Sequence, residues 1–286
     1  MRRKTMKGYK ALLMLFLLAL ITLTGCRSLN LESGEQSSSS AEDDQTRIRL
    51  GIMGDDTRLW EPVQKRLKAE GIELDLVKIM TYDQANKDLL AGRIDANASQ
   101  TLAYLEDFNG NRKSKLVPIA HTMISPLGLY SHEVDNLDDL RDKARIVIPK
   151  DPTNAGRALN LLEAAGLITL KETVETYPTL KDIQDNPKAF KIEQVEASKT
   201  PPKLTDADAV VINTNFALDA KMDPVKEALV REDLDEEEAA AYVQVLAVKE
   251  EDADDPIYQK LVDAFQAPDM KALIKETSKG ASQAAW

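Results

Sequence analysis

The sequence has few of the residues that build disulfides, metal sites and catalytic centres. It holds a single cysteine, Cys26, so no internal disulfide can form. Its two histidines, His121 and His132, have no partner at a metal-ligand spacing, and neither a Gly-x-x-x-x-Gly-Lys nor a Gly-x-Gly-x-x-Gly motif occurs. We therefore predict no zinc centre, no catalytic triad, no bound cofactor and no enzymatic activity.

Basic charge is also scarce. The chain has 37 basic and 48 acidic residues, and five of the basic ones lie in the first 25 residues, which contain no acidic residue. Without that segment 32 basic residues face 48 acidic ones, a net charge of −16. Such a surface repels nucleic acid and anionic lipid alike. We predict no nucleic-acid partner and no membrane attachment through a basic patch.

The one long apolar run, Ala11–Leu23, follows a basic start and is typical of a signal peptide. Its 13 residues are fewer than the ~20 that a membrane-spanning helix needs. The run ends in Leu23-Thr-Gly-Cys26, which resembles a bacterial lipobox. We predict a lipoprotein signal peptide in residues 1–25, a lipidated Cys26 that anchors the protein outside the cytoplasm, and a disordered, serine-rich and acidic tether to residue 46.

Residues 47 onward alternate between strand-like and helix-like patterns. Arg47–Met53 and Ile72–Lys78 have strand patterns, and each is followed by a segment with helical spacing that ends at Gly71 or Gly92. This order predicts an α/β fold with mostly parallel sheets flanked by helices. We predict two lobes, residues 47–130 with 245–286 and residues 131–244, with the ligand cleft between them.

The segment Arg145–Leu159 predicts a strand, a turn and a helix. Asp151 suits the N-cap and Pro152 the first helical position. Arg157 lies near the positive end of this helix, which is unfavourable unless an anion lies nearby. One interpretation is a ligand carboxylate held by backbone N–H groups, the Asn154 amide and Arg157. The other is a surface arginine paired with a neighbouring glutamate, and these residues alone do not decide between them.

Several motifs are spread over residues 47–286. They include Asp151-Pro-Thr-Asn-x-Gly-Arg-Ala-Leu, Ile94-Asp-Ala-Asn97, Pro126-Leu-Gly-Leu-Tyr-Ser131 and Val211-Ile-Asn213-x-Asn215-Phe-Ala217. Together, in this order and behind the lipobox, they resemble the methionine-binding lipoproteins of ABC importers, the NlpA-type family.

The resemblance implies a two-lobed, type II periplasmic-binding-protein fold. Such a protein closes as a monomer on a free amino acid, methionine or a relative, and delivers it to a permease with a cytoplasmic ATPase. By position, Arg157 and Asn154 would hold the carboxylate and Asn213 would meet both the amino group and the carboxylate. Tyr82 and Gln100 would line the cleft. Without the resemblance, Asn213 reads as a strand-end cap and Tyr82 as a half-buried core aromatic.

Five positions depart from the family pattern. Ser99 and Thr101 stand where the family has bulky rings, Ser125 and Ala155 where it has a glutamate, and Gln244 where it has an asparagine. We therefore predict a roomier and more polar side-chain pocket that binds methionine less tightly. The alternatives are another amino acid or a short peptide as ligand, or a surface lipoprotein that serves as an adhesin or sensor.

Overall fold

Two five-stranded sheets, built from different parts of the chain, organise the fold. The computed structural model describes residues 46–113, 115–172, 177–234 and 236–286. The strands are β1 (Thr46–Met53), β2 (Ile72–Ile79), β3 (Ala96–Thr101), β4 (Leu116–His121), β5 (Met123–Ile124), β6 (Gly128–Tyr130), β7 (Arg145–Pro149), β8 (Thr169–Leu170), β9 (Ile183–Asp185), β10 (Lys191–Val195), β11 (Ala209–Ile212), β12 (Ala228–Arg231), β13 (Gln244–Lys249) and β14 (Gln283–Ala284). The helices are α1 (Glu61–Ala69), α2 (Tyr82–Leu90), α3 (Leu102–Arg112), α4 (Pro152–Ala164), α5 (Thr214–Asp219), α6 (Glu236–Ala241), α7 (Pro256–Phe265) and α8 (Met270–Thr277).

Sheet 1 has the strand order β2-β1-β3-β13-β4 and sheet 2 the order β10-β7-β11-β6-β12. In sheet 1, β1 runs parallel to β2 and β3, whereas β13 runs antiparallel to β3 and β4. In sheet 2, β7 runs parallel to β10 and β11, whereas β6 runs antiparallel to β11 and β12. In each sheet four of the five strands therefore run in the same direction, which confirms the predicted mostly parallel arrangement, and the one reversed strand makes each sheet mixed. The reversed strands, β6 and β13, are those by which the chain enters one sheet after leaving the other.

Both faces of each sheet are buried. Along β7, Ile146 and Ile148 pack into one apolar cluster and Val147 into another. Along β13, Leu246 and Val245 likewise belong to separate clusters. Because successive strand residues point to opposite faces, this division places helices and apolar cores on both sides of each sheet. We call sheet 1 with its helices lobe 1, and sheet 2 with its helices lobe 2.

The predicted start and end of α4 are confirmed. Asp151 is the N-cap, its side chain accepts a hydrogen bond from the Asn154 backbone N–H at 3.0 Å, and Pro152 opens the helix. Gly166, directly after the C-cap, has a φ of 71°, a left-handed conformation that favours glycine. The sequence analysis did not predict α3, in which apolar and polar residues follow no clear helical stripe.

The predicted signal peptide, Cys26 and most of the tether lie outside the described residues. Within the described ranges, no helix combines the length and apolar character needed to cross a bilayer. Nor do three or more His, Cys, Asp or Glu side chains group there in a way that could hold a metal ion.

Candidate ligand-binding cleft

One small cavity between the two lobes collects all the predicted ligand-binding residues. Its volume is about 20 Å³, little more than one water molecule needs. A free amino acid is far larger, so it can enter only when the lobes separate. The lining consists of Tyr82, Ser99, Gln100, Thr101, Tyr104, Ser125, Asn154, Arg157, Asn213, Thr214, Asn215 and Gln244.

Arg157 is buried and paired with a glutamate from a distant part of the chain. Its Nε and Nη2 donate to the two carboxylate oxygens of Glu232 at 3.0 and 2.5 Å. The two side chains are only 2% and 6% exposed. The guanidinium carbon also lies 4.4 Å from the centre of the Tyr242 ring. The interpretation of Arg157 as a surface residue is therefore wrong, although the glutamate partner that it invoked is present.

Glu232 neutralises the charge of Arg157 but does not occupy all of the N–H donors of Arg157. Glu232 Oε2 also accepts a hydrogen bond from the Leu127 backbone N–H at 2.6 Å, and Arg157 Nη2 lies 3.3 Å from the Ser125 carbonyl oxygen. Within the described part of the chain, Nη1 of Arg157 has no hydrogen-bond partner. The Arg157–Glu232 ion pair therefore has no net charge, but Arg157 keeps N–H donors that a ligand could use. A ligand carboxylate would share the guanidinium with Glu232.

The Asn154 amide is occupied by protein partners. Its Nδ2 donates to Asp151 Oδ1 at 2.8 Å, and its Oδ1 accepts from Asn213 Nδ2 at 2.9 Å. The carboxylate at the start of α4 is therefore that of Asp151 itself, whose pKa is raised by burial. A direct contact between Asn154 and a ligand stays a prediction. In this conformation, Asn154 holds Asn213 in place.

Two buried atoms of the cavity lining have no hydrogen-bond partner among the described residues. They are Oδ1 of Asn213, an acceptor, and Nδ2 of Asn215, a donor. Leaving a buried polar group unsatisfied costs about 1–3 kcal/mol. A ligand that offers one donor and one acceptor would remove this cost.

Ser99, Thr101 and Gln100 direct their polar groups into lobe 1. Ser99 Oγ donates to Asn97 Oδ1 at 2.5 Å, and Thr101 Oγ1 caps α3 by accepting from the Tyr104 backbone N–H at 3.2 Å. The Gln100 amide is bonded to Asn86. Each hydroxyl therefore has one of its hydrogen-bonding functions occupied by the protein, the donor of Ser99 and an acceptor position of Thr101, so only part of the predicted gain in polarity is available to a ligand.

Tyr82 connects the two lobes. Its hydroxyl lies 3.4 Å from Asn215 Oδ1, and its ring packs against Tyr104 of lobe 1 and Phe216 of lobe 2, with centroid distances of 5.5 and 6.0 Å. Burial raises the pKa of Tyr82, so its hydroxyl stays protonated and can donate. A second contact between the lobes joins the Asp55 backbone N–H to Asp219 Oδ1 at 3.3 Å.

The family model for the NlpA lipoprotein matches residues 48–286. The chain belongs to the NlpA lipoprotein family. It is 35% identical to the D-methionine-binding lipoprotein MetQ of Salmonella typhi over 249 residues, which cover 86% of this chain and 90% of that protein. It is 33% identical to outer membrane lipoprotein 2 of Mannheimia haemolytica, over 92% of this chain and 94% of that one.

A solved structure agrees with this membership. The nutrient binding protein of Burkholderia cenocepacia, bound to methionine, is 38% identical with a TM-score of 0.78, and the match covers 84% of this chain and all of that one. The predicted resemblance and the predicted two-lobed α/β fold are thereby confirmed.

Residues of this NlpA-family cleft that the sequence analysis missed are Glu232, Tyr242 and Asn215. Glu232 is one of 48 acidic residues, and nothing local marks it as the partner of an arginine 75 positions away. Asn215 lies in the motif Asn213-x-Asn215, whose spacing could have identified it. Tyr242 lies just before β13, at the return of the chain to lobe 1, and only the fold brings it to Arg157.

Proposed function

We propose that this chain is the substrate-binding component of an ABC importer, held outside the cytoplasm by a lipid on Cys26. It captures a free amino acid, methionine or a related one, and delivers it to a permease that a cytoplasmic ATPase drives. It acts as a monomer and catalyses no reaction. Membership of the NlpA family supports this function, since relatives in the family are named for methionine binding.

The charge balance of the cavity carries the proposal. Apart from Arg157, every residue that lines the cavity is uncharged, and Arg157 is neutralised by Glu232. A buried ligand with a net charge would leave that charge without compensation, which is costly. A free amino acid is a zwitterion and brings one charge of each sign.

The unsatisfied atoms match the two ends of such a zwitterion. Asn213 Oδ1 can accept a hydrogen bond from the ammonium group, while Asn215 Nδ2 and Arg157 Nη1 can donate to the carboxylate. Asn154 then acts as a positioning residue for Asn213. Ser99, Thr101, Gln100, Gln244 and Tyr82 complete the walls.

Closure of the two lobes provides the binding event. The lobes were predicted at residues 47–130 with 245–286 and at residues 131–244. We place the two crossings of the chain, which act as hinges, just before β6 and just before β13, so that Gly128–Tyr130 belongs to lobe 2 and Gln244 to lobe 1. Tyr82 and Asp219 contact the opposite lobe, and these contacts support a closed state. A ligand that meets both lobes shifts the population toward a closed state that surrounds it, by the free energy of its contacts with both lobes, and the cavity of about 20 Å³ widens to hold it.

A different ligand on the same fold is the second candidate. The small side chains of Ser99 and Thr101 favour it, because they leave room that bulky rings would fill. Another amino acid or a short peptide would still need the carboxylate and amino sites. The two candidates therefore differ in the ligand side chain and agree on its backbone.

Calorimetric titration with altered ligands tests the proposal without altering the protein. The full chain, solubilised in detergent, is titrated with L-methionine, with L-methioninamide, which carries a net positive charge, and with N-acetyl-L-methionine, which carries a net negative charge. We expect each altered ligand to bind about 2–5 kcal/mol more weakly. Equal binding of methioninamide would contradict the carboxylate site. The other amino acids and a set of dipeptides, titrated in parallel, show which candidate is correct.

A further inference from the structure

One contact between the lobes brings three carboxylates together. Asp219, the last residue of α5 in lobe 2, meets the loop that follows β1 in lobe 1. Its Oδ1 and Oδ2 accept hydrogen bonds from the Asp55 backbone N–H at 3.3 and 3.4 Å. The side chains of Asp55 and Asp56 lie close enough to repel the Asp219 carboxylate. Closure of the lobes therefore places the charge of Asp219 beside two others of the same sign.

The close approach of the lobes at this contact depends on Gly54. This residue has a φ of 82°, and a Cβ atom on it would lie 2.0 Å from Asp219 Oδ2. A side chain at this position would block the contact. The Asp219 carboxylate thus lies directly against the loop backbone, which supplies hydrogen bonds but no positive charge.

The basic side chains near this contact are bound elsewhere. They are Lys78, Arg58, Lys279 and Lys221. The first two are bonded to Asp55 and Asp56, at 2.9 Å in each case, and the third donates to a backbone carbonyl oxygen. Lys221 acts through space on the same two aspartates. Within the described ranges, no basic side chain forms an ion pair with Asp219. The other titratable neighbours are Tyr82, which is uncharged, and Glu276, which acts on Arg58.

The ionised form of Asp219 therefore opposes closure. In the closed arrangement Asp219 loses part of its hydration and approaches two like charges. The long hydrogen bonds from the loop do not outweigh these two effects, so the pKa of Asp219 is raised. Both repelling carboxylates belong to lobe 1, so opening of the lobes removes them and returns Asp219 to solvent.

We propose that closure of the lobes on a ligand is coupled to the binding of a proton by Asp219, so that acidity favours capture and a higher pH favours release. The inference rests on the proposed function and adds a means of regulation to it. Because the closed state holds the proton more tightly than the open state, linkage requires ligand affinity to rise as the pH falls through the raised pKa. The rise ends below the ordinary aspartate pKa, about 3.9, where both states are protonated.

Calorimetric titration of the full chain in detergent with L-methionine measures this coupling. At pH 5, titrations in two buffers with different enthalpies of ionisation give the number of protons taken up on binding. We expect the parent to take up more protons than Asp219→Asn, whose amide keeps an acceptor for the Asp55 N–H but cannot titrate. At pH 7.5 we expect Asp219→Asn to bind L-methionine about two- to fivefold more tightly, because this variant closes without the charge.

Two further variants test whether the effect comes from this contact. Asp55→Asn removes one repelling charge from lobe 1, so we expect a smaller proton uptake at pH 5 in the parent and no change in the Asp219→Asn background. The matched control is Asp206→Asn, which alters an exposed aspartate of lobe 2 that is paired with Arg145 of the same lobe. We expect this control to keep the proton uptake and the affinity of the parent.

The outcomes separate the coupling from the proposed function. Equal proton uptake by the parent and Asp219→Asn would overturn the coupling, and so would weaker binding by Asp219→Asn at pH 7.5. If L-methionine binds to neither protein, the proposed function fails, and hydrogen exchange without ligand then tests the coupling. We expect the amides of residues 54–58 to be less protected in the parent than in Asp219→Asn at pH 7.5 and equally protected at pH 4. Equal protection of the two proteins at both pH values would overturn the coupling.

Discussion

The molecule contains two clusters of buried amide side chains that differ in one respect. In lobe 1, Asn86 Oδ1 accepts from Asn97 at 2.9 Å and from Gln100 at 2.8 Å, and Asn86 Nδ2 donates back to Gln100 at 2.5 Å. Ser99 completes this cluster through Asn97. Each of these side chains therefore finds partners inside the same lobe.

The amide side chains in the cleft do not satisfy all of one another's hydrogen-bonding groups. Asn154 and Asn213 are bonded to each other, but Asn213 Oδ1 and Asn215 Nδ2 have no partner within the described ranges. Amide side chains of similar type thus have two different uses. The satisfied cluster stabilises β3 against α2, while the unsatisfied one retains hydrogen-bonding capacity that a ligand can use.

The largest expected effect comes from removing Arg157. Arg157→Ala leaves Glu232 charged, buried and unpaired, so we expect a loss of about 3–5 kcal/mol in the free energy of unfolding, measured by urea denaturation. The matched control is Arg141→Ala, which breaks an ion pair with Asp208 in which the arginine side chain is 70% exposed, and should cost less than about 1 kcal/mol. Equal costs for both variants would show that the Arg157–Glu232 pair is not a buried ion pair in solution.

A smaller effect should separate the two amide clusters. Asn215→Ala removes a donor that has no partner and an acceptor whose hydrogen bond from the Tyr82 hydroxyl is long, at 3.4 Å. We therefore expect a change of less than about 1 kcal/mol in the free energy of unfolding but a loss of about 1–3 kcal/mol in ligand binding. Asn86→Ala should do the opposite, with about 1–3 kcal/mol lost in stability and unchanged affinity. Urea denaturation and calorimetric titration with L-methionine measure both quantities. Similar profiles for the two variants would remove the distinction between the clusters.

The smallest effect concerns pH and Asp219. Burial, together with the like charges of Asp55 and Asp56, raises the pKa of Asp219 in the folded protein. The folded state therefore binds more protons than the unfolded one between the unfolded pKa, about 3.9, and the raised value, and this contribution to stability falls as the pH rises through that window. Asp219→Asn should thus gain stability relative to the parent as the pH rises from about 3 to 6, by less than about 1 kcal/mol.

For a variant of Asp56 we expect the stability relative to the parent to change with pH in the opposite direction. Hydrogen bonding to Arg58 lowers the pKa of Asp56, so its contribution is present above the unfolded pKa and is lost as the pH falls. Asp56→Asn should therefore lose stability relative to the parent over the same rise in pH. Urea denaturation at each pH measures both slopes, and slopes of equal sign would contradict this account.

Local patterns in the sequence predicted the elements whose signals are local. The cap at Asp151-Pro152, the strand β1 and the helix stop at Gly166 each depend on a few adjacent residues. The misplaced charge of Arg157 near a helix start also indicated a buried anion, but not which one. Glu232 could not be identified, because only the path of the chain from β12 to β13 brings it to Arg157.

Local sequence patterns could not predict strand direction or the hydrogen-bond partners of the hydroxyl groups. Nothing in the residues of β6 or β13 shows that each is antiparallel to both of its neighbours, since direction follows from the route between the lobes. Ser99 and Thr101 were expected to make the cleft more polar. Their partners, Asn97 and the start of α3, became visible only with the fold.

The position of β13 sets the order in which the protein can fold. β13 lies between β3 and β4, yet it follows them in the chain only after the whole of sheet 2. During synthesis, β3 and β4 are made before β13, so the strand edges that pair with β13 stay unpaired until β13 is made. Unpaired strand edges are prone to aggregation. Sheet 2 draws on one continuous stretch, residues 128–231, and can form first. We therefore expect the completion of lobe 1 to be slower than the formation of sheet 2, since it joins segments far apart in sequence.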